Sequence, residues 1–396
     1  MTKDEQVTLL LTKGVENILP SKDFLASLLI KDKKLTIYCG FDPTAPTLHI
    51  GHTIQLRKLR QFQDLGHKII FLVGDFTARI GDPTDKTATR KQLTEKEVKT
   101  NLRLYKKQAG LFVLFSGKNK AEIKFNADWL KKLKFEDIIS LASNITVDQM
   151  LKRDMFVRRE QEEKPIYLHE FFYPLMQGYD SVVMDVDGEV GGNDQLFNMM
   201  MGRTLLKTLK NKEKFVITMQ LLEDGTGKKM GKSEGNMVSL IDTPQDMYGK
   251  IMSWPDGLIV PGFELCTDYS PQEVQKIKEN LENGNNPRDI KMNLAYEITK
   301  LCTTDSDAKK AQDFFIGAFQ KKEIPEDVNE IFGGKPLIEI LIENNIISSN
   351  GEARRLAEAG AITHLDTEKT LSYEDIKKIP ETGTYKVGKN RFIKIA

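Results

Sequence analysis

The segment from Leu35 to Val73 constrains the fold of this 396-residue chain more than any other. Residues 35–39 form an apolar run that predicts a strand, and residues 51–66 carry apolar side chains at helical spacing. Residues 68–73 are a continuous apolar run of the kind that a parallel sheet buries on both faces. A strand, a helix and a strand within 40 residues predict a βαβ unit.

Further apolar segments extend this unit into a larger sheet. Helical patterns separate three more predicted strands, Leu111–Phe115, Val182–Met184 and Phe215–Met219. We therefore expect an α/β fold with a Rossmann-like doubly wound parallel sheet over roughly residues 30–225. Such sheets bind nucleotides at the carboxyl ends of their strands.

Charge and composition restrict the class of protein. The net charge is +1, so any RNA contact must come from local basic patches. Three widely spaced cysteines without metal-ligand spacing favour a reducing cytosol: Cys39, Cys266 and Cys302. The charged N-terminus leads into no signal-like segment, and the apolar runs are too short to span a bilayer. We expect a cytoplasmic protein without a membrane partner.

The sequence His49-Ile50-Gly51-His52 follows the first predicted strand and begins the predicted helix. Gly51 has no Cβ, so a ligand can approach the backbone closely. We expect the helix to point free N–H groups and a partial positive charge at a phosphate. Two histidines three residues apart can donate hydrogen bonds to one anion. The alternative is two surface histidines placed there by chance.

A second motif lies in residues 223–236, EDGTGKKMGKSEGN. Its glycines and polar residues are unsuited to a core element and predict a mobile loop. Lys229 and Lys232 can neutralise charge that develops on phosphates during a transfer reaction. The alternative is a solvated basic loop, which would be the better interpretation if this segment stood alone.

The two motifs, in this order, resemble the HIGH and KMSKS motifs of class I aminoacyl-tRNA synthetases, and further residues resemble the bacterial tyrosyl members. The resemblance covers essentially the whole chain. It implies that tyrosine and ATP give tyrosyl-adenylate and pyrophosphate, and that the tyrosyl group then moves to the 3′ end of tRNA(Tyr). It also implies Mg²⁺ on the ATP phosphates, no protein-held metal, and a homodimer.

The resemblance implies roles for individual residues in catalysis and ATP binding. Expected catalytic residues are Thr44, His49, His52, Lys86, Arg90, Lys229, Lys232 and Ser233. Expected ATP contacts are Asp42, His49, Gly51, His52, Gly192, Asp194, Lys229, Met230 and Lys232. Acidic side chains such as Asp194 commonly bind ribose hydroxyls in these folds. Asn193 and Asp194 could instead, or in addition, cap the helix that follows them.

Amino-acid choice is expected to depend on the segment Phe172–Asp180, FYPLMQGYD. Its spacing puts Tyr173, Gln177 and Asp180 on one helix face, although an aromatic core helix is the alternative. The resemblance places Tyr38 and Asp180 at the substrate phenol, where phenylalanine would leave both unpaired. The full expected tyrosine-binding set is Tyr38, Asp82, Tyr173, Gln177, Asp180 and Gln195. For Asp82 the alternative is an ordinary Asp-Pro turn.

The last 60 residues include SSNGEARRLAEAG, which resembles a small RNA-binding domain at the end of bacterial tyrosyl enzymes. Charges in residues 336–396 balance, but the last eleven residues hold basic side chains and no acid. A basic face of this kind can follow phosphates. Expected tRNA contacts are Arg354, Arg355, Lys386, Lys389 and Arg391. The alternative is a solvated charged helix.

The resemblance also implies a domain order. We expect a catalytic domain with a connective insertion at 1–228, a mobile loop and linker at 229–243, an α-helical anticodon-arm-binding domain at 244–331, and a small α+β RNA-binding domain at 336–396. One rival interpretation is a tryptophanyl enzyme, which would not need Tyr38 and Asp180 together. Another is a non-catalytic RNA-binding relative, which should have lost signature histidines or lysines.

Overall fold

A six-stranded sheet organises the first of two units, Met1–Asp305, in the computed structural model. The structure describes residues 2–31, 33–84, 93–223, 237–320, 330–331, 333–344, 346–388 and 391–396. The strands of the first unit are β1 (Val15–Leu19), β2 (Thr36–Phe41), β3 (Lys68–Val73), β4 (Glu122–Phe125), β5 (Gly188–Gly192) and β6 (Phe215–Met219).

The sheet order is β1-β6-β5-β2-β3-β4. Strands β2 to β6 pair in parallel, and β1 pairs antiparallel with β6 at one edge. Every residue of β5 and of β6 is buried, as expected for strands covered on both faces. The predicted doubly wound parallel sheet is confirmed, with an antiparallel edge strand in addition.

Two of the predicted strands are wrong. Leu111–Phe115 forms turns, in which the N–H groups of Phe112 and Val113 both donate to the carbonyl of Ala109. Val182–Met184 is the last turn of a long helix. A short apolar run cannot be told from a buried helix segment by its periodicity, which is the source of both errors.

Sixteen helices of the described residues in this unit connect and cover the strands. They are α1 (Lys3–Thr12), α2 (Lys22–Ile30), α3 (Ile50–Asp64), α4 (Thr77–Ile80), α5 (Glu95–Leu102), α6 (Tyr105–Ala109), α7 (Ala127–Leu130), α8 (Phe135–Ala142), α9 (Val147–Leu151), α10 (Asp154–Gln161), α11 (Leu168–Met184), α12 (Leu196–Lys210), α13 (Pro244–Met252), α14 (Ile259–Cys266), α15 (Pro271–Glu282) and α16 (Pro287–Cys302).

Helices α11 and α12 pack closely because Gly178 lies at their contact. A Cβ at this position would come within 2.8 Å of the Leu205 side chain. Helices α13 to α16 form the helical segment that the sequence predicts after residue 244. They belong to the same unit as the sheet, and the expected domain boundaries stay a prediction.

The second unit, Ser306–Ala396, combines helices with a five-stranded sheet of order β7-β11-β10-β8-β9. Its elements, with α17 beginning one residue earlier, are α17 (Asp305–Gln320), β7 (Glu330–Ile331), α18 (Leu337–Glu343), α19 (Asn350–Glu358), β8 (Ile362–His364), β9 (Lys369–Thr370), β10 (Gly383–Val387) and β11 (Arg391–Ile395). Leu341, Ile376 and Ile393 lie at the centre of its core. The expected α+β fold of this segment is confirmed. Nowhere in the described ranges does a helix combine the length and the apolar character needed to cross a membrane.

Candidate active site

The carboxyl ends of β2, β3 and β5 lead directly into the predicted site residues. Asp42 and His49 follow β2, Asp82 follows β3, and Asp194 follows β5. Parallel strands end at the same edge of a sheet, so these side chains gather where nucleotides bind in doubly wound folds. The predicted location of the site agrees with the topology.

His49 and His52 face each other at the start of α3, with ring centroids 3.9 Å apart. His49 is the N-cap residue, and its Nδ1 accepts the Gly51 N–H at 3.1 Å. The Nδ1 atom of His52 accepts the His49 N–H at 3.1 Å. Because both Nδ1 atoms accept, each neutral ring carries its proton on Nε2 and keeps that N–H as a donor.

Burial keeps both rings neutral. It lowers the pKa of His49 to about 4, and it lowers the pKa of His52 with a further contribution from the neighbouring His49. The pair therefore offers hydrogen-bond donors without full positive charge. Gly51 leaves room for this arrangement, because a Cβ would lie 2.9 Å from the His49 ring and would push it aside.

The expectation of free backbone N–H groups at this helix start is wrong. The Ile50 N–H donates to the carbonyl of Val238 at 3.0 Å, the Gly51 N–H to His49, and the His52 N–H to the His49 carbonyl at 2.9 Å. The imidazole N–H groups, rather than the backbone, are left to bind an anion.

The backbone on either side of His49 pairs with residues 238–240. The Leu240 N–H donates to the carbonyl of Leu48 at 3.0 Å, and His49 lies opposite Ser239 in an antiparallel bridge. These residues follow the second motif directly in the chain, so the segment that leaves this motif is anchored beside the histidines.

A first group of polar side chains, which we call the Asp42 network, connects Tyr173 to Asp180 through a series of hydrogen bonds. Asp42 accepts the Tyr173 hydroxyl at 2.9 Å and the Thr77 hydroxyl at 2.7 Å. Asn126 donates to Thr77 at 3.0 Å and to Asp180 at 3.3 Å. Finally, the indole N–H of Trp129 donates to Asp180 at 2.7 Å. An expected ATP contact and two expected tyrosine contacts are therefore joined.

A second group, the Glu189 network, links Gln177 to Tyr38. The Gln177 amide donates to Glu189 at 3.0 Å, and Glu189 pairs with the ammonium of Lys214. Lys214 donates to the Ser181 hydroxyl at 2.9 Å, which lies 2.8 Å from the Tyr38 hydroxyl. Register explains part of this arrangement, because Tyr38 on β2 lies opposite Glu189 on β5.

A third group, the Asp82 network, joins the segment after β3 to the start of α12. One oxygen of Asp82 accepts the Gln195 amide at 2.7 Å, and the other accepts the Thr84 hydroxyl at 2.7 Å. Asn198 donates to Gln195 at 2.9 Å, and Arg153 donates to both Thr84 and Asn198. Asp82 is thus more than a turn residue, because its carboxylate contacts a second expected tyrosine-binding side chain.

The deepest groups of the site have shifted pKa values. Burial raises the pKa of Tyr38, and the carboxylates of Glu189 and Asp180 raise it further. Burial also raises the pKa of Asp180, although the hydrogen bonds from Trp129 and Asn126 act in the opposite direction. A tyrosine hydroxyl that stays protonated is available as a donor.

Gly192, the last residue of β5, lets Asp194 lie close to the backbone. A Cβ at Gly192 would lie 2.4 Å from a carboxylate oxygen of Asp194, so a larger residue would displace this carboxylate. Asn193 and Asp194 do not cap α12: their short 3₁₀ turn and the helix both start without a side-chain cap. Asn193 instead accepts the Asn17 amide at 3.1 Å. Thr44 lies exposed, and its N–H donates to the Asp42 carbonyl at 2.7 Å.

Several predicted residues lie outside the described residues. They are Lys86, Arg90, Lys229, Met230, Lys232, Ser233 and Lys389. Their assignment stays a prediction from the sequence. In the parts of the chain that are described, no group of three or more His, Cys, Asp or Glu side chains is placed to hold a metal ion.

The predicted RNA-contacting residues of the second unit differ in their surroundings. Arg354 and Arg355 are exposed on α19, and the Arg354 guanidinium lies 4.9 Å from the ring centroid of Tyr373. Lys386 is half-buried on β10, and Arg391 pairs with Glu352 at 2.9 Å. Arg391 also donates to the carbonyl of Ile346. Arg354 and Arg355 are thus the more accessible of these cations.

Sequence reasoning missed the residues behind the site. They are Thr77, Asn126, Trp129, Ser181, Glu189, Asn198 and Lys214. The sequence does contain an indication that Glu189 matters, because it is the one charged residue in the segment Gly188–Gly192. Lys214 gives a second indication. It directly precedes an apolar strand, where a charged side chain is expected to be buried and therefore to need a partner.

Comparison with known proteins identifies the class. The chain matches the family model for class I tRNA synthetases of the W and Y type over residues 31–320. The chain belongs to this family. One relative, named tyrosine–tRNA ligase 2 from Clostridium acetobutylicum, is 43% identical over 99% of this chain and 98% of its own length. Another, tyrosine–tRNA ligase from Thermotoga maritima, is 43% identical over 100% of this chain and 98% of its own length.

Solved structures agree with this fold. A truncated mitochondrial tyrosyl-tRNA synthetase from Coccidioides posadasii has a TM-score of 0.62 at 24% identity, with 78% of this chain and 91% of that chain covered. A tyrosyl-tRNA synthetase from Archaeoglobus fulgidus complexed with L-tyrosine has a TM-score of 0.61 at 23% identity, with 78% and 100% covered.

Proposed function

We propose that this chain is a tyrosine–tRNA ligase. It activates tyrosine with ATP to tyrosyl-adenylate and pyrophosphate, and it then transfers the tyrosyl group to the 3′ end of tRNA(Tyr). The observation that carries this proposal is that α11 presents Tyr173, Gln177 and Asp180 to polar networks ending at Tyr38 and Asp42, in a chain 43% identical to tyrosine–tRNA ligases.

The tyrosine substrate is held at both ends. The phenol hydroxyl binds between Tyr38 and Asp180, and the α-ammonium binds near Asp82, Tyr173 and Gln177. Support comes from the burial of Tyr38 and Asp180, which are 0% and 2% exposed. Both groups have partners within the protein, but phenylalanine would supply none of the further hydrogen bonds that a phenol hydroxyl adds in this desolvated site, which is costly. Discrimination against phenylalanine therefore comes from the hydrogen bonds that only a phenol hydroxyl can add to these two desolvated groups.

ATP binds along the carboxyl edge of the sheet. The Nε2–H groups of His49 and His52 face the phosphates, Thr44 lies nearby on the β2–α3 connection, and Asp194 binds the ribose. Neutral imidazole donors stabilise the negative charge that develops on the phosphates in the transition state. Mg²⁺ enters with ATP on its phosphates, and we assign it no side chain.

Adenylate formation needs positioning more than covalent chemistry. The tyrosine carboxylate attacks the α-phosphorus, the bond to the bridging oxygen of pyrophosphate breaks, and no intermediate forms on the protein. Lys86, Arg90, Lys229 and Lys232 neutralise the leaving pyrophosphate. Support for Lys232 comes from the length of the chain. Lys232 precedes Val238, which is anchored beside His49, by six residues, and six extended residues span at most ~20 Å.

The tRNA is bound outside the sheet. We assign 244–331 to the anticodon arm and 336–396 to further RNA contacts, in which Arg354 and Arg355 contact phosphates. The support is their exposure on α19 and the absence of an ion-pair partner for either side chain among the described residues. Arg391 has a structural role besides, because it pairs with Glu352.

The active form is a homodimer. Large apolar side chains are exposed on the first unit between β4 and α11: Phe135 is 77% exposed, Val147 64% and Leu168 70%. We assign the dimer contact to this region, because exposed apolar side chains mark protein interfaces where they form a contiguous patch. We place the protein in the cytoplasm, where tRNA charging occurs in bacteria and where its three buried, free cysteines stay reduced.

The test of the function is substrate-dependent pyrophosphate exchange followed by charging of tRNA. Purified protein should exchange pyrophosphate into ATP with tyrosine, but not with tryptophan or phenylalanine at the same concentration. It should then charge tRNA(Tyr). Exchange driven by tryptophan would favour the tryptophanyl rival, and no exchange with any amino acid would favour a non-catalytic RNA-binding protein.

A further inference from the structure

The Glu189 network contains three residues that the proposed tyrosine site does not use directly: Ser181, Glu189 and Lys214. All are buried, at 0%, 2% and 0% exposure. An ion pair placed so deeply is costly to desolvate and contributes little net stability. Its two ends reach Gln177 and Tyr38, both expected to contact tyrosine. This placement connects the pair to the site rather than to the stability of the fold alone.

The end at Gln177 fixes the orientation of an amide. The Nε2 group of Gln177 donates to a Glu189 oxygen at 3.0 Å. A carboxylate accepts and cannot donate, so the amide nitrogen must face Glu189 and the amide oxygen must face away from it. An oxygen directed into the pocket accepts a hydrogen bond from the α-ammonium of an amino acid.

The end at Tyr38 fixes the direction of a hydroxyl proton. The Lys214 ammonium can only donate, and it donates to the Ser181 oxygen. In the described chain, the Ser181 hydroxyl has hydrogen bonds with Lys214 and Tyr38 only. Its own proton is therefore best paired with the Tyr38 oxygen. Tyr38 then has its own proton to donate, and the acceptors are the neighbouring Glu189 carboxylate and, when a phenol is bound, the ligand oxygen. Asp180 accepts the ligand's proton.

We propose that Lys214, Ser181 and Glu189 are positioning residues for amino-acid selection. They orient the Tyr38 hydroxyl toward the substrate phenol and the Gln177 amide oxygen toward the α-ammonium. This inference rests on the proposed function and goes beyond it, because it assigns a role to groups that do not touch the substrate. A site oriented before binding loses less free energy in ordering when the ligand arrives.

The experiment compares kcat/KM for tyrosine and for phenylalanine in pyrophosphate exchange. Ser181→Ala should lower the tyrosine-to-phenylalanine ratio about tenfold, because it removes one orienting hydrogen bond. The KM for ATP should not change. In a Tyr38→Phe background, Ser181→Ala should leave the ratio unchanged, because it acts through the Tyr38 hydroxyl.

A second variant tests the ion pair. Lys214→Met alone leaves Glu189 unpaired and can prevent folding, so it is combined with Glu189→Gln, which removes both charges. The combined variant should lower the same ratio. The matched control is Lys58→Met, which removes another buried lysine, bonded to the Leu10 carbonyl at 2.7 Å, and should leave the ratio intact.

The outcomes separate the inference from the function. Equal losses for tyrosine and phenylalanine in Ser181→Ala, or additive losses in the Tyr38→Phe background, would overturn the positioning role while the unmodified chain still exchanges with tyrosine. An unmodified chain without tyrosine-dependent exchange would overturn the proposed function, and this inference with it.

Discussion

Replacing His49 by asparagine should make the stability of the protein less sensitive to acid. His49 caps α3 by accepting the Gly51 N–H at 3.1 Å. Asparagine is also a preferred N-cap residue and offers a side-chain oxygen to the same N–H. The variant therefore keeps the cap and removes the titrating group.

The magnitude follows from the pKa of His49. Burial lowers it from 6.5 to about 4. Between these values the unfolded chain binds a proton that the folded chain rejects, so stability is present above pH 6.5 and is lost as the pH falls toward 4. The complete loss would be about 3 kcal/mol. Because pH 5 still lies above the pKa of the folded state, only part of this loss is reached there, and we expect an extra loss of about 1–2 kcal/mol between pH 7.5 and pH 5.

The assay is urea unfolding of the parent and of His49→Asn at pH 7.5, 6 and 5 at constant ionic strength. The parent should lose more free energy of unfolding on acidification than the variant does. Thr243→Asn, which exchanges the N-cap residue of α13, is the control and should follow the parent. Parallel pH profiles for the parent and His49→Asn would refute the claim that His49 is held neutral by burial.

Four further changes test the site and the fold. Tyr38→Phe should lower tyrosine-to-phenylalanine discrimination in pyrophosphate exchange about tenfold or more, since it removes one phenol partner; an unchanged ratio would mean that the pocket is misplaced. Lys232→Ala should slow single-turnover adenylation roughly 10–10³-fold with little change in tyrosine affinity, and a parental rate would contradict its role. Glu170→Gln should cost about 3–5 kcal/mol in urea unfolding, because it leaves a buried guanidinium uncompensated; a loss under about 1 kcal/mol would mean that this pair is hydrated. Replacing Arg354 and Arg355 by serine should reduce tRNA charging and its salt dependence but not exchange, and equal losses in both activities would indicate a structural role.

The sequence predicted the βαβ unit because its signal is local. Apolar runs and helical spacing there agree with β2, α3 and β3. It did not predict β5, since Gly188–Gly192 contains three glycines and a glutamate, a composition depleted in strands. This segment is a strand because it is buried between β2 and β6. Long-range burial overrode local preference.

In the site, too, local features could be predicted from the sequence and long-range contacts could not. Motif residues could be named from the sequence, because their spacing is local or shared with a family. The pairing of residues 238–240 with the chain around His49 could not, and it is this pairing that occupies the Ile50 N–H. Ser181 and Lys214 carry no motif, and their hydrogen bonds form only where α11 and the residue before β6 meet beside Tyr38.

Burial of an ion pair does not by itself mark a functional site in this protein. Arg159 and Glu170 are as buried as Lys214 and Glu189, with side-chain exposures of 0% and 3% in both pairs. The Arg159 pair joins α10 to the start of α11, and its other hydrogen bonds go to backbone groups at residues 165 and 167. It therefore contributes to the packing of two helices. The Lys214 pair instead ends at two side chains expected to contact tyrosine. What separates the two pairs is the identity of the groups at their ends, so variants of the first should change stability and variants of the second should change selectivity.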